Sequence, residues 1–144
     1  MRGLGRTGLV AVIAATLACV AEPAGARLLQ SNNFQAFGSR VSCGVQVKQL
    51  GGMSCFSEGI PSKELDGFIE LKAHGVAVVG ERGDSPWRRG MLRRLRPGDQ
   101  WRRTGVRCGI AVLKRPDVVK CLNLDGNGFL VGPNGYKLIN ALDS

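Results

Sequence analysis

The sequence has a single histidine, His74, and no Cys-x-x-Cys motif or Cys/His cluster. Ser-His and Cys-His catalysis needs a histidine held within hydrogen-bond reach of the nucleophile, and no nucleophile-elbow motif is present. Zinc sites need cysteines and histidines at short spacings. These absences predict no catalytic residues, no metal and no cofactor. We interpret His74 as a structural residue at the edge of a strand and expect a protein that is not an enzyme.

The chain also lacks any sustained 3.6-residue hydrophobic period. Strict alternation appears instead in "VSCGVQV" and "VRCGIAV", and the runs "GFIELKA" and "GVAVVG" are rich in β-formers. Glycine and proline turns separate these runs, and "PNG" (133–135) between two short apolar runs predicts a hairpin. The pattern predicts an all-β fold, a small disulfide-stapled sandwich or barrel-like domain. One short helix is expected over Ser62 to Leu65.

The longest apolar run, "LVAVIAATLACVA" (9–21), is shorter than the roughly 20 residues of a membrane helix. It follows Arg2 and Arg6 and precedes the small-x-small sequence that ends at Ala26, which is the layout of a secretory signal. We predict a signal peptide at 1–26 with cleavage near Ala26, an N-terminal arm at 27–40 with one short strand, and a disulfide-linked β domain at 41–144. Acylation of Cys19 is the alternative.

Cleavage would leave four cysteines in an exported, extracellular or envelope protein, which predicts two disulfides. Four cysteines allow three pairings. Separations of twelve and thirteen residues favour one local bond across each hairpin, and we expect the pairs Cys43–Cys55 and Cys108–Cys121. The cysteine hairpins also align at an offset of 65 or 66 residues, which leaves an internal duplication open as a hypothesis.

Charge is strongly unbalanced. The total is +9, and because the first 26 residues carry Arg2, Arg6 and Glu22, the rest of the chain carries +8. Residues 86–103 hold seven arginines and two tryptophans. One hypothesis is an exposed strip that grips phosphates or carboxylates. The alternative is a solvated face, with arginine stems covering the indoles. The predicted strip consists of Trp87, Arg88, Arg89, Arg93, Arg94, Trp101, Arg102 and Arg103.

An exported location makes nucleic acid an unsuitable partner, and an anionic cell-wall polymer or membrane surface is the expected one. We therefore predict a secreted, monomeric, non-enzymatic binding domain. Two alternatives stay open. The first is a secreted hydrolase that uses a pair of turn carboxylates in a cleft. The second is an inhibitor-like or toxin-like scaffold with a loop rigidified beside a disulfide.

The stretch "NLDGNG" (123–128) has part of the spacing of a calcium loop, with Asn123, Asp125, Asn127 and Gly128 at the first, third, fifth and sixth positions. The first position should be Asp, and the twelfth, Asn134, should be Glu. A loop with one carboxylate is a poor cage for a divalent cation. We predict a polar turn between strands instead.

The run "LRPGDQWRRTGVRCGIAVLKRPDVVKCLNLDGNGFLVGPNGYKLIN" resembles the C-terminal half of a family of small secreted actinobacterial proteins of unknown function, and the likeness extends over Val41 to Asn140. A histidine usual in the family's Gly-His-Gly-Phe turn is Asn127 here. The resemblance implies an exported, disulfide-paired β domain and no particular activity. The matching positions are Pro97, Gly98, Trp101, Cys108, Val119, Cys121, Asn123, Gly126, Gly128, Phe129 and Tyr136.

Overall fold

The alternation around each cysteine is that of a strand with one buried face. In the computed structural model, which describes residues 27–84, 86–112 and 117–143, Val41, Cys43 and Val45 are buried. Ser42, between them, points to the opposite side of the sheet, as the period of two requires. The predicted signal peptide at 1–26, with Cys19, lies outside the described residues. No helix among the described residues is long and apolar enough to cross a membrane.

The described residues form twelve strands and one 3-10 turn at Ala141–Asp143. The strands are β1 (Leu28–Leu29), β2 (Asn33–Ala36), β3 (Val41–Val45), β4 (Met53–Ser57), β5 (Asp66–Leu71), β6 (Val78–Arg82), β7 (Leu92–Arg94), β8 (Gln100–Arg103), β9 (Val106–Ala111), β10 (Val118–Asn123), β11 (Gly128–Gly132) and β12 (Gly135–Ile139). Sheet A has the order β1-β8-β9-β10-β11-β12, and sheet B has the order β6-β5-β4-β3-β2-β7. Their inner faces share one apolar core in a sandwich-like arrangement, which confirms the all-β prediction.

Both predicted disulfides are present. Cys43 lies directly opposite Cys55 in the β3–β4 hairpin, and Cys108 lies directly opposite Cys121 in the β9–β10 hairpin. Their Cα atoms are 4.1 and 4.2 Å apart, close to the spacing of directly opposed residues in a non-hydrogen-bonded antiparallel pair. All four cysteines point inward, so each bond staples its own sheet on the side that faces the other sheet.

The two halves of the chain have the same connectivity. Strands β2 to β6 form an antiparallel meander in sheet B, and β8 to β12 form the matching meander in sheet A. Phe34 pairs with Cys43 in the first half, and Trp101 pairs with Cys108 in the second. These pairings align the halves position by position and support the internal duplication suggested by the cysteine hairpins.

The halves exchange their first strands. Strand β1, which precedes the first meander, pairs in parallel with β8 of the second. Strand β7, which precedes the second meander, pairs in parallel with β2 of the first. The segment at 27–40 thus contributes two strands where the sequence predicts one, and its Phe34 is fully buried. This reciprocal pairing ties each sheet to both halves of the chain.

Loops at the two ends of the sandwich repeat the same contact. Ser57, two residues after Cys55, donates from Oγ to the carbonyl of Gly132 at 2.6 Å. Asn123, two residues after Cys121, donates from Nδ2 to the carbonyl of Lys72 at 3.0 Å. Gly132 directly follows the buried Val131 of β11, and Lys72 directly follows the buried Leu71 of β5, so the two residues occupy matching positions. These bonds are further evidence that the halves are structural copies.

The first strand is also held by a buried charge. The Asp99 carboxylate, with its side chain 3% exposed, forms an ion pair with Arg27 at 2.9 Å and accepts the backbone N–H of Arg96 at 3.0 Å. Burial raises the pKa of Asp99, but the hydrogen bond and charge of Arg27 and the Arg96 N–H outweigh it and leave that pKa below its ordinary value. The pair fixes the chain where it enters β1.

One local prediction is wrong. Ser62 to Leu65 form no helix but an exposed series of bends before β5. A four-residue segment forms at most one turn, and the nucleation cost of a helix is not recovered without a buried face.

The glycine turn at Gly51–Gly52, with φ of 70° and 68°, and the Pro133–Asn134 hairpin turn are confirmed.

Candidate anion-binding surface

The predicted Arg/Trp strip does not form one surface. Arg88 and Arg89 lie in the connection after β6, while Arg93 and Arg94 lie on β7 at the edge of sheet B. Arg102 and Arg103 lie on β8 in sheet A. The polypeptide passes from one sheet to the other within the strip, at the Pro97–Gly98 turn, so its arginines are divided between two sheets.

Both indoles of the strip pack against protein groups, and Trp101 is fully buried. Trp101 is 0% exposed, its ring centroid is 5.1 Å from that of Phe34, and Nε1 donates to the Ser31 carbonyl at 2.8 Å. Trp87 packs edge-on against Phe56 at 5.3 Å and donates from Nε1 to Ser54 Oγ at 2.9 Å. The structure gives both tryptophans packing roles. The full burial of Trp101 corrects its assignment to an exposed strip, whereas Trp87 is half-exposed.

Residues 86–91, named here the strap, cross the outer face of sheet B. The Val47 N–H donates to the Pro86 carbonyl at 2.7 Å, and the Arg88 N–H donates to the Val45 carbonyl at 2.8 Å. Arg88 Nε donates to the Gln46 carbonyl at 3.0 Å. Arg88 is therefore partly committed to holding the strap rather than free to bind an anion.

The indole of Trp87 lies over a glycine in sheet B. A Cβ on Gly44 would be 2.6 Å from Trp87 Cγ and would also collide with Asn33 Oδ1. Asn33, Gly44 and Ser54 form one row across β2, β3 and β4. Asn33 Nδ2 donates to the Arg88 carbonyl at 3.1 Å, so the row supplies a floor for the ring and hydrogen bonds to both ring and strap backbone.

The outer face of sheet A has no such cover among the described residues. Its counterpart row is Gln100, Gly109 and Lys120, across β8, β9 and β10. A Cβ on Gly109 would meet only the Asp99 carbonyl oxygen, at 3.4 Å. An open groove of about 260 Å³ lies over this glycine, lined by Gln100, Arg107, Lys120 and Leu122 among others. Among the described residues, no side chain fills the position in sheet A that Trp87 fills in sheet B.

The charged side chains of strands β8 to β12 are all basic. Strands β8 to β12 contain no aspartate or glutamate. Alternation directs four basic side chains outward, all in exposed or half-exposed residues: Arg102, Arg107, Lys120 and Lys137. We name these four residues and the groove the basic face. Of the predicted strip, only Arg102 belongs to it. The outward direction of Arg107 and Lys120 could be predicted from the alternation around Cys108 and Cys121. That of Lys137 follows from its place in the last hairpin.

The two rows allow a matched test of the cover. We expect Gly44→Ala to lower the free energy of unfolding by about 1–3 kcal/mol, because the methyl group displaces Trp87 or Asn33. Gly109→Ala should raise it by about 0.4–1 kcal/mol, because the site is open and alanine restricts the unfolded chain. Urea denaturation of both variants measures the contrast. Equal effects at the two positions would show that the strap does not lie on Gly44.

The loop that resembles a calcium site is internally saturated. Asn123 Oδ1 accepts the backbone N–H groups of Asp125 and Asn127 at 3.1 and 3.0 Å, while its Nδ2 donates to the Gly75 carbonyl at 2.7 Å. Within the described residues, no three histidine, cysteine, aspartate or glutamate side chains are placed to hold a metal. The segment forms the predicted polar turn between β10 and β11, and its hydrogen bonds join sheet A to the β5–β6 loop.

His74 belongs to the same junction. Its Nδ1 lies 2.8 Å from Asp125 Oδ1, and Asp125 Oδ2 accepts the Gly75 N–H at 2.8 Å. The backbone hydrogen bond from Gly75 and the contact with His74 hold the pKa of Asp125 below its ordinary value. Both side chains are well exposed, and the pair closes the loop junction at the surface.

A wide groove of about 740 Å³ lies on the other sheet, between the β2–β3 turn and the β4–β5 loop. Glu58, Glu64 and Asp66 line it, together with Arg40 and Lys63. Arg40 lies 3.8 Å from Glu58, and both side chains are exposed. This is a wide groove of mixed charge at the surface rather than the deep cleft that the hydrolase alternative predicts.

Comparison of the chain with protein-family models, with curated proteins and with solved structures finds no significant match. Membership of the actinobacterial family therefore stays a prediction from the quoted motifs.

Proposed function

We propose that the protein is an exported, non-enzymatic binding domain that docks on anionic material of the cell envelope through the basic face. The proposal depends on a difference between the two halves. Trp87 of the strap covers Gly44 on sheet B, whereas the matching face of sheet A is uncovered among the described residues. The charged residues in strands β8 to β12 are all basic. Disulfides are typical of oxidising, extracellular-type compartments, which supports export.

Charge alone gives this face substantial affinity. A basic residue near an anionic lipid surface contributes about 1 kcal/mol, and that attraction decays over a Debye length of about 8–10 Å at physiological salt. Arg107 on β9 and Lys120 on β10 lie on adjacent strands, and Lys137 on β12 lies one strand beyond, across Leu130 of β11. All three point to the same side of the sheet, so one anionic surface can contact them together. The shared ligand chemistry is phosphate or carboxylate, presented by a lipid headgroup or by a wall polymer.

The test compares two triple variants of equal charge. Arg107→Gln/Lys120→Gln/Lys137→Gln removes three cations from the basic face, and Arg89→Gln/Arg93→Gln/Arg94→Gln removes three from the strap and β7. We expect the first to weaken retention on phosphatidylglycerol vesicles, or on a purified anionic wall polymer, by about a hundredfold, from about 1 kcal/mol per cation. The second should weaken it by less than about tenfold.

Vesicles and polymer are assayed separately, so the material that the protein binds more tightly identifies the source of the anion. Binding should also fall steeply as salt is added. If both triple variants lost the same retention, binding would depend on net charge and not on the basic face. If the wild-type protein bound neither material, the proposed function would be wrong.

A further inference from the structure

The groove over Gly109 has a template in the same chain. Because the halves are structural copies, each residue around Trp87 has a counterpart in sheet A. Gly44 corresponds to Gly109, which forms the floor. The other correspondences, taken from strand register, are Asn33 to Gln100, Ser54 to Lys120, Phe56 to Leu122 and Ser42 to Arg107.

Each counterpart keeps or changes the recognition chemistry in a definite way. Asn33 donates its side-chain amide to the strap carbonyl of Arg88. Gln100 also presents an amide, whose Oε1 accepts a hydrogen bond from Arg102 Nη2 at 2.9 Å and whose Nε2 is a donor. Leu122 replaces Phe56 as the apolar wall. The row therefore retains a floor, an apolar wall and a donor suited to a peptide carbonyl.

The remaining two changes add charge. Lys120 stands where Ser54 accepts the indole N–H, and Arg107 stands where Ser42 lies in sheet B. A segment copied from the strap, with Arg88 and Arg89 in its sequence, would be repelled by these cations. A segment with acidic residues in those places would be attracted, because opposite charges meet at short range on a face with no competing carboxylates.

We infer that the groove over Gly109 is a docking site for an acidic peptide segment of a partner protein, whose aromatic side chain lies on Gly109 as Trp87 lies on Gly44. The segment's carboxylates contact Arg107 and Lys120, and a backbone carbonyl accepts from Gln100. Ile110 and Val112 occupy the positions of Val45 and Val47, whose backbone groups pair with the strap. This inference rests on the basic face of the proposed function and goes beyond it, because the occupant of the groove is a peptide rather than a lipid or a wall polymer.

The probe is a capped, fluorescently labelled peptide DSPWEE, which keeps the start of the strap and replaces its two arginines with glutamate. Binding to the disulfide-bonded protein is followed by fluorescence anisotropy. We expect measurable saturable binding, and more than about tenfold weaker binding for DSPAEE and DSPWQQ, because the first lacks the aromatic anchor and the second lacks the two glutamate carboxylates.

Two variants test the site itself. Gly109→Val fills the groove with a side chain that suits a strand, and Lys120→Glu reverses the charge beside it. Each should weaken DSPWEE binding by more than about tenfold. The matched controls are Gly135→Val, on the same face where a Cβ meets nothing within 4 Å, and Lys48→Glu, an exposed turn residue. Both controls should stay within about twofold, well under 1 kcal/mol. Unchanged urea midpoints confirm that the variants fold.

The outcomes separate the two proposals. Protein that binds anionic vesicles or polymer but binds DSPWEE no better than DSPAEE overturns the peptide site and leaves the basic face intact. Peptide binding unaffected by Gly109→Val also overturns the site. Protein that binds no peptide, vesicle or polymer overturns both.

Discussion

Removal of either disulfide should lower the free energy of unfolding by about 3 kcal/mol. Each bond closes a loop with a sequence separation of 12 or 13 residues, and the chain-entropy estimate for such a loop is about that size. The whole net stability of a small domain is about 5–15 kcal/mol, so the loss of both bonds, about 6 kcal/mol, would remove all of it at the lower end of that range. We expect the variant lacking all four cysteines to be largely unfolded.

The measurement is urea denaturation of the double variants Cys43→Ala/Cys55→Ala and Cys108→Ala/Cys121→Ala, with alanine chosen because the sites are buried. Reduction of each double variant serves as the control, since it opens only the bond that remains. Peptide mapping of the unreduced protein should recover the two local pairs. A loss below about 1 kcal/mol for either variant would show that hairpin packing alone fixes that sheet.

The parts of the fold that follow from the sequence are those with local causes. The period of two placed Cys43 and Cys108 on inward faces, and an inward residue on one strand of a hairpin meets an inward residue on the next, so the local pairing was predictable. The hairpin at 133–135 had a turn signal of its own. Each of these needs only residues that are near neighbours in the chain.

The long-range pairings had no comparable signal. Strand β1 has two residues, too few to show a period, and its position beside β8 depends on contacts across more than 70 residues, such as Arg27 with Asp99. The division of the predicted strip between two sheets has the same cause. Arginines close in sequence were expected to share a surface, but the crossing from β7 to β8 places them on different sheets.

The candidate site lies between these cases. The outward positions of Arg107, Lys120 and Lys137 follow from alternation, so each side chain could be predicted to face solvent. That sheet A is uncovered and sheet B is covered depends on where the strap folds, and the strap's contact with Gly44 is a tertiary one. The difference between the covered Gly44 and the open Gly109 supports the proposed function, and it becomes visible only when strand register aligns the two halves.

Trp101→Ala should be the most destabilising single substitution that we predict, at about 3–5 kcal/mol. The side chain is fully buried where the two first strands cross over, between Leu29 in β1 and Cys108 in β9. Its removal leaves a cavity beside Phe34 and deprives the Ser31 carbonyl of its donor. The loss should appear in the urea midpoint, and the near-UV circular dichroism of Trp101 should vanish with it.

Two companion variants separate the causes. Trp101→Phe keeps a ring against Phe34 but loses the hydrogen bond to Ser31, so it should cost about 1–3 kcal/mol, the cost of leaving one buried polar group without a partner. Trp87→Ala empties a half-exposed site under the strap and should cost less than Trp101→Ala, because less apolar area is lost. If Trp87→Ala were the more damaging of the two, Trp101 would not be the more tightly packed indole, and it could not be the central packing contact where β1 and β7 cross.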